Sequence, residues 1–305
     1  MAGYNVAVDF GGTNIRAALV KDLKIIKIVK KETRASKGKN FVISQLIKTI
    51  EEAKNKKKIN GIGIGSPGPL KNGIIKNPPN LPLKNVNLKK IIQKRFKVRT
   101  IIENDAKCAA LAEAKLGTKK KNFILLTIGT GIGGGIVINH KLYKGTGYAG
   151  ELGHMMIQDH KDLEDLASGK AIRKVTKKYL HHEIKAKDLI KIKSKKARFI
   201  LQNEIKYLSI GIANLINVFD PDVVILTGGV REIGNSFLKK VRKEVQKYTI
   251  IPRKVDIRWS KIKEPGILGA ALLLRWNIKF INIQIIKILT WTPVIYTGRW
   301  TSFFS

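Results

Sequence analysis

Two stretches of this chain share one pattern, and together they restrict the fold more than any other feature. Val6-Ala7-Val8-Asp9-Phe10-Gly11-Gly12-Thr13-Asn14-Ile15-Arg16 reads as a strand, a glycine turn carrying a threonine, and a second strand. Ile124 to Ile138, with Gly129-Thr130-Gly131 at its centre, repeats that pattern more than a hundred residues later. β-Branched runs on either side of a glycine turn predict β-hairpins. Gly129, Gly131 and Gly134 also satisfy the G-x-G-x-x-G dinucleotide fingerprint. That fingerprint needs a helix directly after the glycines, so that pyrophosphate rests on its N-terminus. Here Gly135 is followed by strand-like Ile136-Val137-Ile138. A hairpin tip whose backbone N–H groups surround a phosphate is therefore the better reading, and a nicotinamide-dependent oxidoreductase the poorer one. Either turn alone is an ordinary tight hairpin. The two together, with Gly228-Gly229 after the strand Val223 to Leu226, point to a duplicated lobe whose turns face each other across a nucleotide cleft.

The rest of the chain alternates strands and helices, which argues for an α/β architecture. Strands are expected at Tyr4–Asp9, Ile15–Val20, Ile25–Glu32, Ile59–Ile64, Val98–Ile102 and Val223–Leu226. Helices are expected at Lys39–Ala53, Asp105–Leu116 (stopping at Gly117), Leu163–Tyr179, Phe199–Val218, Gly234–Tyr248 and from Pro265 onward. Asn77-Pro78-Pro79-Asn80-Leu81-Pro82 must be a stiff loop, because proline removes donors and biases its predecessors away from helix.

Composition removes several function classes. A chain of 305 residues, 44% apolar, is long enough for two lobes. Cys108 is its only cysteine, so no intrachain disulfide forms and a reducing, cytoplasmic compartment is expected. No leader is expected, since MAGYNVAVDF enters a strand at once, and no uncharged apolar run reaches the ~18 residues of a spanning helix. The 59 Lys and Arg against 22 Asp and Glu leave a net charge of +37. These cations are spread along the chain without interleaved aromatics, so they read as a solvated surface rather than a nucleic-acid platform, incidental polyanion binding or steering of anionic substrates being the alternative.

Asp105 is the candidate general base for proton removal from an attacking hydroxyl; alternatively, Asn104 or Asp105 only caps the following helix. With an ordinary carboxylate pKa, Asp105 would be a weak base at neutral pH, which a loose phosphoryl-transfer transition state tolerates. Glu151 and His154 have a metal-ligand spacing and, with Asp159 and His160, form either a divalent-ion site or an unliganded surface cluster. Glu164 is equally readable as a first-turn helix glutamate.

Taken in order, Asp9 to Arg16, Glu103-Asn104-Asp105-Ala106, Gly129 to Gly135, Glu151-Leu152-Gly153-His154, Glu164 through Ser168-Gly169, and Gly228-Gly229 resemble the ROK family of sugar kinases and repressors over about residues 3 to 275. The resemblance implies a two-lobed, actin-like (ribonuclease H-like) ATPase fold with duplicated β-hairpin phosphate loops and an interlobe cleft. It implies a small lobe over 1–104 completed by a helix around 265–275, and a large lobe over 105–264. The activity implied is ATP-dependent phosphorylation of a hexose, glucokinase-like, with glucose first and N-acetylmannosamine, fructose or mannose as alternatives. By the same resemblance Asp105 is the catalytic base and Asn104, Glu151, His154 and Glu164 hold the sugar, with Gly65 and Asn80 lining its pocket. Asp9, Gly11, Gly12, Thr13, Gly129, Thr130, Gly131, Gly228 and Gly229 would hold ATP, with Mg²⁺ near Asp9. The family's three-cysteine zinc loop is missing, since His154 to Glu164 contains no cysteine, so no structural zinc is expected. Expected partners are the sugar, ATP and a second copy of the chain in a homodimer, with no specific nucleic acid and no membrane. The alternative function is a non-catalytic, sugar-responsive regulator; the family's repressors carry an N-terminal helix-turn-helix, whereas the first strand here begins at Tyr4. Residues 276–305 contain no acidic residue and three of the four tryptophans, and read as an extension outside the core.

Overall fold

The computed structural model describes residues 3–78 and 80–275; the extension 276–305 lies outside the described residues. Strands β1 (Tyr4–Phe10), β2 (Asn14–Lys21) and β3 (Lys24–Glu32) form an antiparallel meander, followed by α1 (Lys39–Lys54), β4 (Ile59–Ser66), α2 (Leu88–Phe96) and β5 (Arg99–Asn104). This sheet has the order β3-β2-β1-β4-β5, with β4 and β5 parallel to β1. Helix α3 (Asp105–Ala112) leads to a second meander, β6 (Phe123–Ile128), β7 (Ile132–Ile138) and β8 (Lys141–Tyr143). After α4 (Leu163–Ala167), α5 (Gly169–Leu180) and α6 (Lys195–Phe219) come β9 (Val223–Thr227), α7 (Asn235–Val245) and β10 (Asp256–Trp259). The second sheet, β8-β7-β6-β9-β10, repeats the order of the first. A final helix spans 265–275. The duplication expected from the glycine hairpins is thus a repeat of strand order and pairing.

Each sheet has its own core. Val42, Leu46, Ile50 and Ala53 recur at helical spacing on α1 and pack against Val6, Val8, Ile62 and Ile64 of the first sheet. Residues of α6 and α7, among them Leu208, Ile212, Phe237 and Val241, cover Val224, Leu226 and Ile257 of the second.

Helix α3 runs between the two sheets. Cys108, Leu111 and Ala112 pack with Ala7, Ala18, Ile267 and Ala270 on one side. Ala109 and Ala110 pack with Phe123, Leu125 and Val223 on the other. Its alanines keep it slim enough for approach from both directions, and glycines on the facing strands complete the fit. A Cβ on Gly133 would lie 2.9 Å from Ala106 Cβ, and one on Gly135 would collide with Ala110 Cβ. On β4, Gly61, Gly63 and Gly65 share one face: side chains there would meet Leu274, the Ala270 carbonyl and the first turn of α3, respectively. Much of the glycine run after residue 131 is therefore packing, within a strand paired to β6 rather than at the start of a helix.

Two elements differ from expectation. The segment Leu163–Tyr179 is two helices, because the Ser168 backbone is extended and its hydroxyl accepts from Ala171 N–H, starting α5 afresh. The helix starting at Asp105 is α-helical only to Ala112, then widens into a π-turn over Glu113–Gly117, where Ser260 Oγ donates to the buried Glu113 carboxylate. Sequence reading missed α2 and β10, the latter a four-residue edge strand.

Gly63→Ala is expected to cost about 3 kcal/mol in chemical denaturation, because the methyl meets backbone that cannot rotate away. Gly129→Ala, where a Cβ meets nothing within 4 Å, should unfold at nearly the wild-type denaturant concentration.

Candidate functional site

The carboxyl ends of β1, β4, β5, β6 and β9 carry almost all the residues singled out by sequence, the position where α/β sheets open their ligand crevices. Asp9 sits near the end of β1. Its carboxylate lies 3.7 Å from the Arg16 guanidinium across the hairpin, and Arg16 also binds Glu264. Burial raises the Asp9 pKa, Arg16 opposes the shift, and Glu264 adds to it. The hairpin tip is tied by Gly11 N–H to Asn14 O at 2.9 Å and by Thr33 Oγ to Gly11 O at 2.6 Å, leaving Thr13 exposed. Asn80 of the proline loop packs on this tip: a Cβ on Gly12 would sit 2.7 Å from Asn80 Cβ.

The sequence left open which of Asn104 and Asp105 caps α3. Asn104 is the cap, its Oδ1 accepting from Lys107 N–H at 3.1 Å. Asp105 begins the helix, with Oδ1 accepting from the adjacent Ala106 N–H at 2.8 Å. Burial pushes the Asp105 carboxyl up to about 7, the Asp9 and Glu151 carboxylates add to the rise, and the Ala106 hydrogen bond opposes it. This corrects the expectation of an ordinary aspartate, for enclosure rather than sequence sets the value. Gly65 lies beneath it; a Cβ there would be 3.3 Å from Asp105 Cα and from Cys108 Sγ.

On the second sheet, Gly129-Thr130-Gly131 is the hairpin tip, closed by Gly129 N–H to Gly131 O at 2.9 Å. The tip docks on the N-terminus of α5: Gly169 N–H donates to Gly129 O and Lys170 N–H to Thr130 O. Glu164 reaches the same tip, accepting from Ile132 N–H at 2.7 Å. Gly228 has φ +92, a left-handed conformation suited to glycine, and is pressed against Ile128 backbone; Gly229 is open. Glu151, His154 and Glu164 share one electrostatic neighbourhood. Burial raises the Glu151 pKa, against Lys107 and His154. The His154 pKa is raised chiefly by its 2.8 Å contact from Nδ1 to Asp162 Oδ2.

The divalent-ion reading of Glu151, His154, Asp159 and His160 does not hold. His154 is committed to Asp162, His160 sits in an exposed turn at φ +53, and among the described residues no three His, Cys, Asp or Glu side chains gather as metal ligands. A surface pocket of about 560 Å³, lined by Leu238, Lys239, Arg242, Arg258 and Trp259, lies apart from this constellation.

Sequence reading missed three features. Asp162, the partner of His154, follows it at no telling spacing. Lys107, a lone cation in an alanine-rich helix, was there to be noticed. Along α5, Lys170, Arg173, Lys174, Lys177 and Lys178 recur at i, i+3, i+4, i+7 and i+8, a basic stripe starting at the second hairpin tip. Among the described residues no carboxylate pairs with Lys170, Arg173 or Lys174.

Comparison with known proteins agrees with this geometry. The profile of the ROK family matches residues 5–276. The chain belongs to the ROK family. It is 32% identical over 311 residues to a glucokinase of Thermotoga maritima, covering 90% of this chain and 98% of that protein. It is also 33% identical over 244 residues to a xylose repressor of Caldicellulosiruptor bescii, covering 70% of this chain and 61% of the repressor. In structure it is similar to the ROK hexokinase of Thermus thermophilus, with TM-score 0.76, 29% identity, and 90% and 99% of the two chains covered. The fold is therefore the two-lobed, actin-like ATPase fold of ROK kinases. Among the described residues no helix is long and apolar enough to cross a membrane.

Asp105→Asn should raise the melting temperature. A carboxylate whose folded pKa lies near 7 and whose ordinary value is 3.8 destabilises the fold increasingly as pH rises between those values. The gain over wild type is thus expected to grow from pH 4 to pH 7 and then level off, as read by thermal melts; a gain independent of pH would contradict the assignment.

Proposed function

We propose that the protein is an ATP-dependent hexose kinase, glucokinase-like, with glucose as the first substrate to test and N-acetylmannosamine, fructose and mannose as alternatives. The observation that carries this reading is the Asp105 carboxyl, poised near neutrality at the start of α3 and flanked by Asn104 and Glu151. The glucokinase and ROK hexokinase relatives support it. In the proposed reaction a sugar hydroxyl gives its proton to Asp105 as its oxygen bonds to the γ-phosphorus of ATP, and the bond to the β-phosphate bridging oxygen breaks to release ADP. Asn104 Nδ2, Glu151, His154 and Glu164 would take the sugar hydroxyls, with Gly65 and Asn80 at the pocket wall. Glu164 brings one oxygen already occupied by Ile132 N–H, so its second oxygen is the one offered. The tips at Gly11-Gly12-Thr13 and Gly129-Thr130-Gly131 would present N–H groups and hydroxyls to the phosphates, with Gly228 and Gly229 beside adenosine. The basic stripe of α5 would favour the anionic donor.

Asp9 suits Mg²⁺ carried in with ATP: it is an enclosed oxygen donor, and Mg²⁺ characteristically uses one or two carboxylates together with substrate phosphates. The ion would neutralise charge on the transferring phosphoryl group. Residues 1–104 with the helix at 265–275 would form the small lobe and 105–264 the large one. The packing of Ile267 and Ala270 on Ala7 and Ala18 supports this division. Closure would exclude water as competing nucleophile. A homodimer in the cytoplasm remains part of this reading.

The xylose repressor relative supports a second reading, a sugar-responsive regulator without turnover. A coupled ADP-release assay with Mg-ATP and a panel of glucose, mannose, fructose and N-acetylmannosamine separates the two. The kinase reading expects turnover with one sugar, reduced at least about 10³-fold in Asp105→Asn, since base and positioning are lost together. Sugar-dependent thermal stabilisation with no ADP release from any sugar would sink it in favour of the regulator.

A further inference from the structure

Two residues beyond Asp105 on α3, Lys107 is only 3% exposed, and the rest of the helix after Asp105 is alanine, cysteine and leucine. A buried ammonium persists only where hydrogen bonds and opposite charge replace its water. Lys107 Nζ donates to the Gly147 carbonyl at 2.7 Å. Its Cε passes 3.6 Å from where a Cβ of Gly150 would stand. Desolvation pulls its pKa down, while the Glu103 and Glu151 carboxylates hold it up. Glu103 in turn pairs with Lys144.

These contacts converge on one segment. Residues 145–150 are successive turns, with Gly145, Gly147 and Gly150 all at positive φ. Backbone hydrogen bonds inside the segment run from Gly147 N–H and Ala149 N–H to the one Lys144 carbonyl. Its place is set from outside, by Lys144 on Glu103 and by Lys107 on Gly147, and it leads directly into Glu151. A segment with so little internal bonding follows its anchors.

We infer that Lys107 is a positioning residue for sugar capture: through the Gly147 carbonyl it fixes the 145–150 turns, and so the backbone from which Glu151 directly follows. This rests on the reading of Glu151 as a sugar ligand. Lys107 is not assigned a contact with the reacting atoms, so its loss acts on binding rather than on the phosphoryl-transfer step. Glu151 is faced by Lys107 and His154, which lower its pKa, and by Glu164, which raises it; removing the Lys107 charge leaves His154 as the remaining cation and raises the Glu151 carboxyl further, so capture fails first at low pH.

The test uses the full chain with the hexose turned over in the panel assay, comparing wild type, Lys107→Met, Lys107→Arg and Glu151→Gln from pH 6 to 9. Expected for Lys107→Met is a sugar KM raised about tenfold near neutral pH with kcat within about threefold, and a KM–pH limb displaced to higher pH. Lys107→Arg, which keeps the charge, should recover most of the affinity. An unchanged sugar KM in Lys107→Met, a rise equal at every pH and in Lys107→Arg, or a loss confined to kcat would overturn the inference. Should Lys107→Met not fold, Lys107→Gln is read by the same criteria. A Glu151→Gln variant with unaltered KM would remove the sugar-ligand reading itself. A raised KM in Glu151→Gln beside an unaltered one in Lys107→Met would overturn the role of Lys107 alone.

Discussion

The close packing of α3 between two sheets is the constraint on which the rest depends. A helix can be enclosed on both sides only if its own side chains are small and the facing strands have none at the contact. Ala106, Ala109 and Ala110 meet the first requirement, and Gly65, Gly133 and Gly135 the second. The first turn of that helix cannot be packed in this way without also enclosing Asp105. Its raised pKa is therefore a direct consequence of the architecture, reinforced by the Asp9 and Glu151 carboxylates and opposed by hydrogen bonding from the Ala106 and Asp105 backbone N–H groups.

Enclosure of like charges is costly, and the chain distributes compensation around the site. Arg16 faces Asp9 and Glu264, Lys144 faces Glu103, and Lys107 stands near Glu103 and Glu151. Asp105 alone has no cation among its causes of shift. That asymmetry sets Asp105, the proposed base, apart from the neighbouring carboxylates that have a cation beside them, the kind of difference in environment by which a single site can divide acid and base roles. The overall excess of cations contributes little to this ordering; what matters is which few of them stand beside the site carboxylates.

Much of the fold was legible because hydrophobic period and glycine turns are local signals. Both hairpins, α1, α6 and β9 fall where the pattern placed them, and the argument against a dinucleotide fingerprint held because the residues after Gly135 were β-branched. The break at Ser168 was visible as a serine cap but was hidden inside continuous helical spacing. What a sequence cannot display is which glycines are turns and which are contacts: Gly129 and Gly133 look alike until α3 is seen beside one of them. The pairing of His154 with Asp162 and the burial of Lys107 depend on tertiary neighbours in the same way. The capping role of Asn104 was foreseen as one of two options; the raised Asp105 was not, because composition gives no measure of enclosure.

The central claim is that enclosure of α3 gives Asp105 a proton affinity suited to base catalysis near neutral pH. The pH dependence of kcat/KM for the phosphorylated sugar, measured from pH 4 to 9 at saturating Mg-ATP, tests it most directly. The account predicts an acidic limb with an apparent pKa near 7, below which activity falls about tenfold per pH unit as Asp105 takes up its proton. A profile flat down to the ordinary carboxylate range near 3.8 would contradict it.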